Sequence, residues 1–229
     1  MSVVRTKAQV EHIMPLTDSI IELILAPQTY VDYQAGQYLK IHSGEEHFSY
    51  SIANAPLGSH KYELHIRHDP VNPYNQPLFD EIKRQGEVLL SLPYGDCHIN
   101  QLDRNKPILF IAGGTGFAPV KAIIEQLLAT GDTRYFALYW GARSQSDLYM
   151  DEKVMQWQAH VSRFRYVSLL PRHNKETLAA LVIADYQERL LDHQVVLGGP
   201  FDMVYATRDA LIRYGVPRSS LFSDAFSFE

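Results

Sequence analysis

The stretch ILFIAGGTGFAP, residues 108–119, limits what this chain can fold into more than any other. An apolar run leads directly into Gly113, Gly114 and Gly116, and an amphipathic segment follows at once. That order predicts a buried strand, a tight turn and a helix start. Glycine lets the backbone turn sharply and removes the Cβ that would hold a ligand away. Unpaired N–H groups at a helix start form a site for phosphate. The stretch therefore predicts a site for a nucleotide pyrophosphate. It reads GGTG and not G-x-G-x-x-G, so the common dinucleotide fingerprint is not expected here.

The rhythm of the chain differs on either side of residue 100. Before it, short runs rich in branched and aromatic residues predict strands over 10–13, 19–25, 38–42, 48–53 and 87–92. Tyr62, Leu64 and Ile66 alternate with Glu63, His65 and Arg67, the period-two pattern of a half-buried strand. Turn-forming residues cluster over 55–59 and 68–77, and one helix is predicted near 76–84. Short strands separated by turns predict an antiparallel β-barrel or sandwich.

After residue 100 the pattern alternates. Strands are predicted over 108–112, 135–140, 165–168 and 194–197, with helices between them. Val120, Ile123, Ile124, Leu127 and Leu128 share one helical face that Gly131 would end. Met203, Ala206, Ala210 and Tyr214 share another, ended by Gly215. Alternating strands and helices predict a parallel sheet covered by helices. The polar stretch 100–106 is a natural link, so two domains are expected, 1–101 and 102–229.

Charge and cysteine content remove several function classes. The formal charge is -5, from 21 basic and 26 acidic residues, with no dense Lys/Arg block. That argues against sequence-independent binding of nucleic acid or anionic membrane. Cys97 is the single cysteine, so neither an internal disulfide nor an iron–sulfur cluster is expected. Ten histidines are scattered without H-E-x-x-H or other paired ligand spacing, and no metal site is expected. No secretory leader opens the chain and no apolar run is long enough to span a bilayer, so a cytoplasmic setting is expected.

Two further strand ends resemble the glycine turn. Tyr139-Trp140-Gly141-Ala142-Arg143-Ser144 ends one strand, and Gly198-Gly199-Pro200-Phe201-Asp202-Met203 ends another and opens a helix. Ligands of open α/β sheets bind beyond the carboxyl ends of strands, which predicts one shared crevice. In the strand-rich part, HFSYSIAN (47–54) puts an aromatic ring and hydroxyls on one strand. Tyr50 can pack on a flat ligand and Ser51 can donate to a ring nitrogen.

Taken in this order, the motifs resemble the ferredoxin-NADP reductase superfamily, and within it the bacterial NAD(P)H:flavin reductases. Ala35-Gly36-Gln37-Tyr38 is similar to the family's barrel motif, and Phe48-Ser49-Tyr50-Ser51 to its Arg-x-Tyr/Phe-Ser flavin motif. Gly113-Gly114-Thr115-Gly116 is similar to its nicotinamide pyrophosphate loop, and Leu221–Phe226 to the terminal segment that covers the flavin. The resemblance implies a flavin-binding antiparallel β-barrel followed by a nicotinamide-binding α/β domain. Two positions depart from the family. Phe48 replaces the arginine that holds the flavin's phosphate, which implies loose flavin binding. Gly198 stands where the family has a cysteine, as in members that use flavin as a substrate.

The resemblance also implies roles. Hydride passes from NADH or NADPH to riboflavin, FMN or FAD. Ser51 lies near flavin N5, Tyr50 lines the ring, and Phe48, Ile52, His65, Ile66 and Arg67 complete the flavin site. Gly113, Gly114, Thr115, Gly116, Pro119, Gly199, Pro200, Asp202 and Met203 hold the nicotinamide nucleotide. Arg143 reaches the adenosine ribose or a 2′-phosphate, or else pairs with Asp147. Asp224 tunes the nicotinamide site or is a solvated carboxylate, and Phe226 covers the flavin. The implied partners are the two small molecules and an electron acceptor such as a flavin-dependent monooxygenase. The other readings are an electron-transfer component that keeps its flavin, and a non-catalytic module.

Overall fold

Alternating branched and aromatic residues turn the first hundred positions into strands that pair with one another. The computed structural model describes residues 2–68, 76–170 and 177–228. Residues 69–75, from the turn expected over 68–77, lie outside the described residues. The strands are β1 (Val4–Thr17), β2 (Ile20–Pro27), β3 (Tyr38–Ser43), β4 (Glu46–Ser51), β5 (Tyr62–Arg67) and β6 (Glu87–Tyr94). They form an antiparallel sheet in the order β4-β3-β6-β1-β2-β5. An antiparallel bridge from Ile52 to Leu64 links the two ends and closes the sheet into a barrel.

Leu23, Leu39, Ile41, Phe48, Tyr62, Leu64, Ile66 and Leu90 fill its interior. Burying one such side chain contributes about 1.5–3 kcal/mol. Helix α1 (Gln76–Gln85) adds Leu78 and Ile82 to the same core. β1 is longer than the expected 10–13. Its first part, which includes Arg5, Thr6 and Lys7, pairs with β6, and its later part pairs with β2. Cross-strand pairing, not strand propensity, sets its length.

The second sheet is parallel throughout. It contains β7 (Ile108–Gly113), β8 (Phe136–Gly141), β9 (Phe164–Leu169), β10 (Gln194–Gly198) and β11 (Leu221–Phe222), in the order β11-β10-β7-β8-β9. The helices are α2 (Phe117–Ala129), α3 (Asp151–His160), α4 (Leu178–Tyr186) and α5 (Phe201–Tyr214). All of β7 is buried. Leu109, Ile111 and Tyr139 pack with Val182 of α4 and Val204 and Leu211 of α5. Alternation sends Phe110 and Trp140 to the opposite face, where Trp140 stacks on Phe117 of α2. Gly215 ends α5 in the left-handed conformation, φ 114°, as its position after the apolar face predicts.

The chain separates into two compact units. One comprises Met1–Ile99 with Lys121–Gly131, and the other comprises Asn100–Val120 with Asp132–Glu229. No helix among the described residues is long and apolar enough to cross a membrane.

Candidate functional site

The chain reverses its course across the parallel sheet between β7 and β10. From β7 it proceeds through α2 to β8 and β9. It then returns to β10, on the other side of β7, and continues to β11. Neighbouring strands whose connections leave in opposite directions open a crevice at their carboxyl ends. β7 and β10 are such a pair, with Ala112 opposite Gly198.

Glycine loops occupy both sides of that crevice. A Cβ on Gly116 would be driven into the backbone of Gly198 and Gly199, and one on Gly198 into the carbonyl of Gly116. A Cβ on Gly113 would meet the Met203 thioether. Gly114 adopts φ 52° and Gly199 φ 143°, conformations that favour glycine. Gly114–Gly116 form one 3-10 turn that leads into α2. The ring of Trp140 lies 4.1 Å from that of Phe117, nearly parallel, and its indole N–H donates to the Gly114 carbonyl at 3.0 Å. A cradle without side chains at a helix start, held from behind by a packed indole, fits a nucleotide pyrophosphate.

Other expected nucleotide contacts stand around these loops. Thr115 and Pro119 are partly exposed, Asp202 is exposed in the first turn of α5, and Pro200 precedes that helix. Arg143 is exposed and has no hydrogen bond or ion pair to a described residue. The Asp147 carboxylate accepts from the Ser144 hydroxyl at 3.0 Å. At the chain end, a 3-10 turn covers Asp224–Phe228. Tyr205 donates to the Ala225 carbonyl, and the Arg218 guanidinium lies 4.0 Å from the centre of the Phe226 ring. Asp224 is half-buried in the same turn.

The barrel unit carries the expected flavin residues. Tyr50 and Ser51 are partly exposed at the end of β4, and the Ser51 hydroxyl has no partner among the described residues. The Ala35–Tyr38 motif holds that strand end. A Cβ on Gly36 would press on the Cys97 carbonyl at 2.6 Å. The Gln37 side chain accepts from Gln34 N–H and donates to the Gly95 carbonyl, while the Gln37 backbone carbonyl accepts from Ile52 N–H at 3.0 Å. Phe48 and Ile66 are core side chains of the barrel, and Arg67 is exposed.

His65 lies on the outer face of β5, opposite Glu22 of β2. Its side chain is buried, and Nε2 lies 2.8 Å from Glu63 Oε1. Glu63 also pairs with the Lys121 ammonium at 3.0 Å. Burial works to raise the Glu63 carboxyl, but the bond from His65 and the Lys121 charge outweigh it and bring it down to about 2. Burial pushes His65 below its ordinary value, against the pull of Glu63. Glu22, Glu63 and His65 bring ligand atoms within 4.8 Å of one another, a grouping that sequence spacing does not reveal. Glu63 is shared between Lys121 and His65.

Lys121 escaped the sequence reading. The signal available was a lysine inside the apolar run Val120–Ile124, four residues before Glu125. The rest of its environment comes from strands far away in the chain.

Residues 110–209 match the family model described as the oxidoreductase NAD-binding domain. The CDP-6-deoxy-L-threo-D-glycero-4-hexulose-3-dehydrase reductase of Yersinia pestis is 33% identical over 91% of this chain and 64% of its own length. The chain therefore spans somewhat less than two thirds of that relative's length. The NAD(P)H-flavin reductase of Aliivibrio fischeri is 30% identical over 96% of this chain and 98% of its own. Among solved structures, the Amycolatopsis cytochrome P450 reductase GcoB superposes with a TM-score of 0.84 at 24% identity, covering 97% of this chain and 69% of that one.

A closed antiparallel barrel, followed in the chain by a parallel sheet with glycine loops at its switch point, is the ferredoxin-reductase-like fold, and its second half matches an oxidoreductase NAD-binding domain. The chain belongs to the NAD(P)H-flavin reductase family.

Proposed function

We propose that this protein is an NAD(P)H:flavin oxidoreductase that binds its flavin loosely and releases it reduced. The observation that carries the reading is the glycine-lined crevice between β7 and β10. Bound together, the two small molecules supply the chemistry, a hydride passed from the nicotinamide to the flavin. Gly113, Gly114, Thr115 and Gly116 receive the pyrophosphate, with Gly199, Pro200, Asp202 and Met203 beside it. Arg143, exposed and unpaired among the described residues, takes the adenosine end. Ser51, whose hydroxyl has no partner among the described residues, donates to the flavin, and Tyr50 lines its ring. Asp224 and Phe226 complete the nicotinamide and flavin surroundings from the chain end. In this reading residues 1–101 serve the flavin and 102–229 the nicotinamide.

A second reading keeps the flavin bound and passes electrons to a protein acceptor, such as a flavin-dependent monooxygenase. The Yersinia relative favours it, because its name describes a reductase serving a dehydrase. A cytoplasmic setting belongs to either reading, since NAD(P)H is the electron source and Cys97 is the single thiol. The test is a matrix of NADH and NADPH oxidation rates against riboflavin, FMN and FAD. Colourless protein that turns over only with added flavin supports the first reading. Protein that purifies yellow and reduces a protein acceptor supports the second. Colourless protein inert with every pair rejects both.

A further inference from the structure

We infer that Lys121 is a positioning residue for the flavin, acting through the backbone that follows Ser51. The inference rests on the flavin-reductase reading and adds a residue to it. Lys121 is 1% exposed, in the part of α2 that belongs to the barrel unit. Its ammonium makes three kinds of contact. It donates to the Ala53 carbonyl at 3.0 Å. It lies 3.0 Å from Glu63 and 2.9 Å from Glu125.

These contacts converge on one short segment. Ile52 N–H donates to the Gln37 carbonyl and Ala53 N–H to the Glu63 carbonyl at 2.7 Å. Asn54 Oδ1 accepts from Glu63 N–H, and Ala55 N–H reaches the Glu125 carboxylate at 3.3 Å. Every residue from Ile52 to Ala55 is thus tied down. Lys121 holds Ala53 directly, and holds the two carboxylate-bearing residues that grip its neighbours. The segment begins one residue after Ser51, so its position sets where the Ser51 hydroxyl stands.

Stability alone is a poor reason for such a residue. Removing an ammonium from water costs several kcal/mol, and apolar replacements of buried ion pairs are often neutral or stabilising. A leucine or methionine would suit the apolar run as well. What an apolar side chain does not supply is a donor to the Ala53 carbonyl.

The test uses Lys121→Met and the double variant Lys121→Met/Glu63→Gln in the full chain. Flavin affinity is read from quenching of riboflavin and FMN fluorescence, alongside the KM for NADH and thermal unfolding. We expect the single variant to bind flavin at least tenfold more weakly, with the NADH KM changed less than twofold. The double variant no longer buries an unpaired Glu63 charge, so it should regain thermal stability yet bind flavin as weakly as the single. If Lys121→Met proves too unstable to assay, the double variant decides. Unchanged flavin affinity in either variant overturns the inference, as does affinity restored in the double, which would make Lys121 only a neutralising charge. A parent protein that binds no flavin overturns the functional reading and this inference together. A parent that binds flavin with an unaffected variant overturns the role of Lys121 alone.

Discussion

Gly116 and Gly198 meet backbone to backbone, with no room for a Cβ on either. The contact joins the loop after β7 to the loop after β10 and sets the floor of the crevice. Gly116→Ala should displace one loop from the other. Overpacking of this kind costs about 1–3 kcal/mol. The expected result is a lower melting temperature together with a raised KM for NADH. A variant with the parent's KM would remove the two loops from nicotinamide binding.

Ser51 tests the flavin side. Ser51→Ala removes a single hydroxyl that has no partner among the described residues, so the fold should tolerate it. Losing one hydrogen bond of about 1 kcal/mol in the transition state lowers turnover roughly fivefold to tenfold. Steady-state kinetics should show that drop in kcat with little change in the NADH KM. Unaltered turnover excludes Ser51 from the mechanism.

Phe48 tests what the barrel has in place of the family's arginine. The side chain is 2% exposed. Phe48→Ala should cost about 3–5 kcal/mol, measurable by denaturant unfolding. Phe48→Arg should also lower stability, because the core contacts of the ring are lost and the guanidinium must turn out of the apolar interior. It should nevertheless tighten FMN more than riboflavin, since only FMN carries a phosphate. Equal effects on the two flavins would reject the missing cation as the cause of loose binding.

Acid should weaken the barrel through Glu63 and His65. Both have folded values below their ordinary ones, 4.5 for Glu63 and 6.5 for His65. Such groups stabilise the fold above the unfolded value and lose that contribution as pH falls through the folded one. The loss therefore starts below pH 6.5 with His65 and continues from 4.5 towards about 2 with Glu63. The Glu63 part is on the order of 3 kcal/mol. Melting temperatures between pH 7 and pH 3 should fall, and Glu63→Gln should flatten the portion below pH 4.5. An identical acid slope in that variant rules out Glu63 as a source.

Local rules made much of this molecule legible. The alternation of Tyr62, Leu64 and Ile66 with polar residues reported a strand with one face in a core. The glycine turn after 108–112 reported its own backbone needs, and Gly114 adopts the positive φ that such a turn requires. Gly131 and Gly215 stand where their helices stop. His65 shows where local rules end. Alternation placed it correctly on the outer face of β5, yet that face is covered, and its side chain belongs to an ion-pair network.

What the sequence determined by itself is the set of elements and the turn chemistry that punctuates them. These depend on periodicity and backbone sterics, which act over a few residues. Tertiary structure alone decided the strand order that makes β7 and β10 neighbours, the long pairing of β1, and the burial of Lys121 beside Ala53 and Glu63. Each of those joins positions far apart in the chain. Their energies arise from desolvation and pairing that exist only once the segments have met, and no short window of residues carries that information.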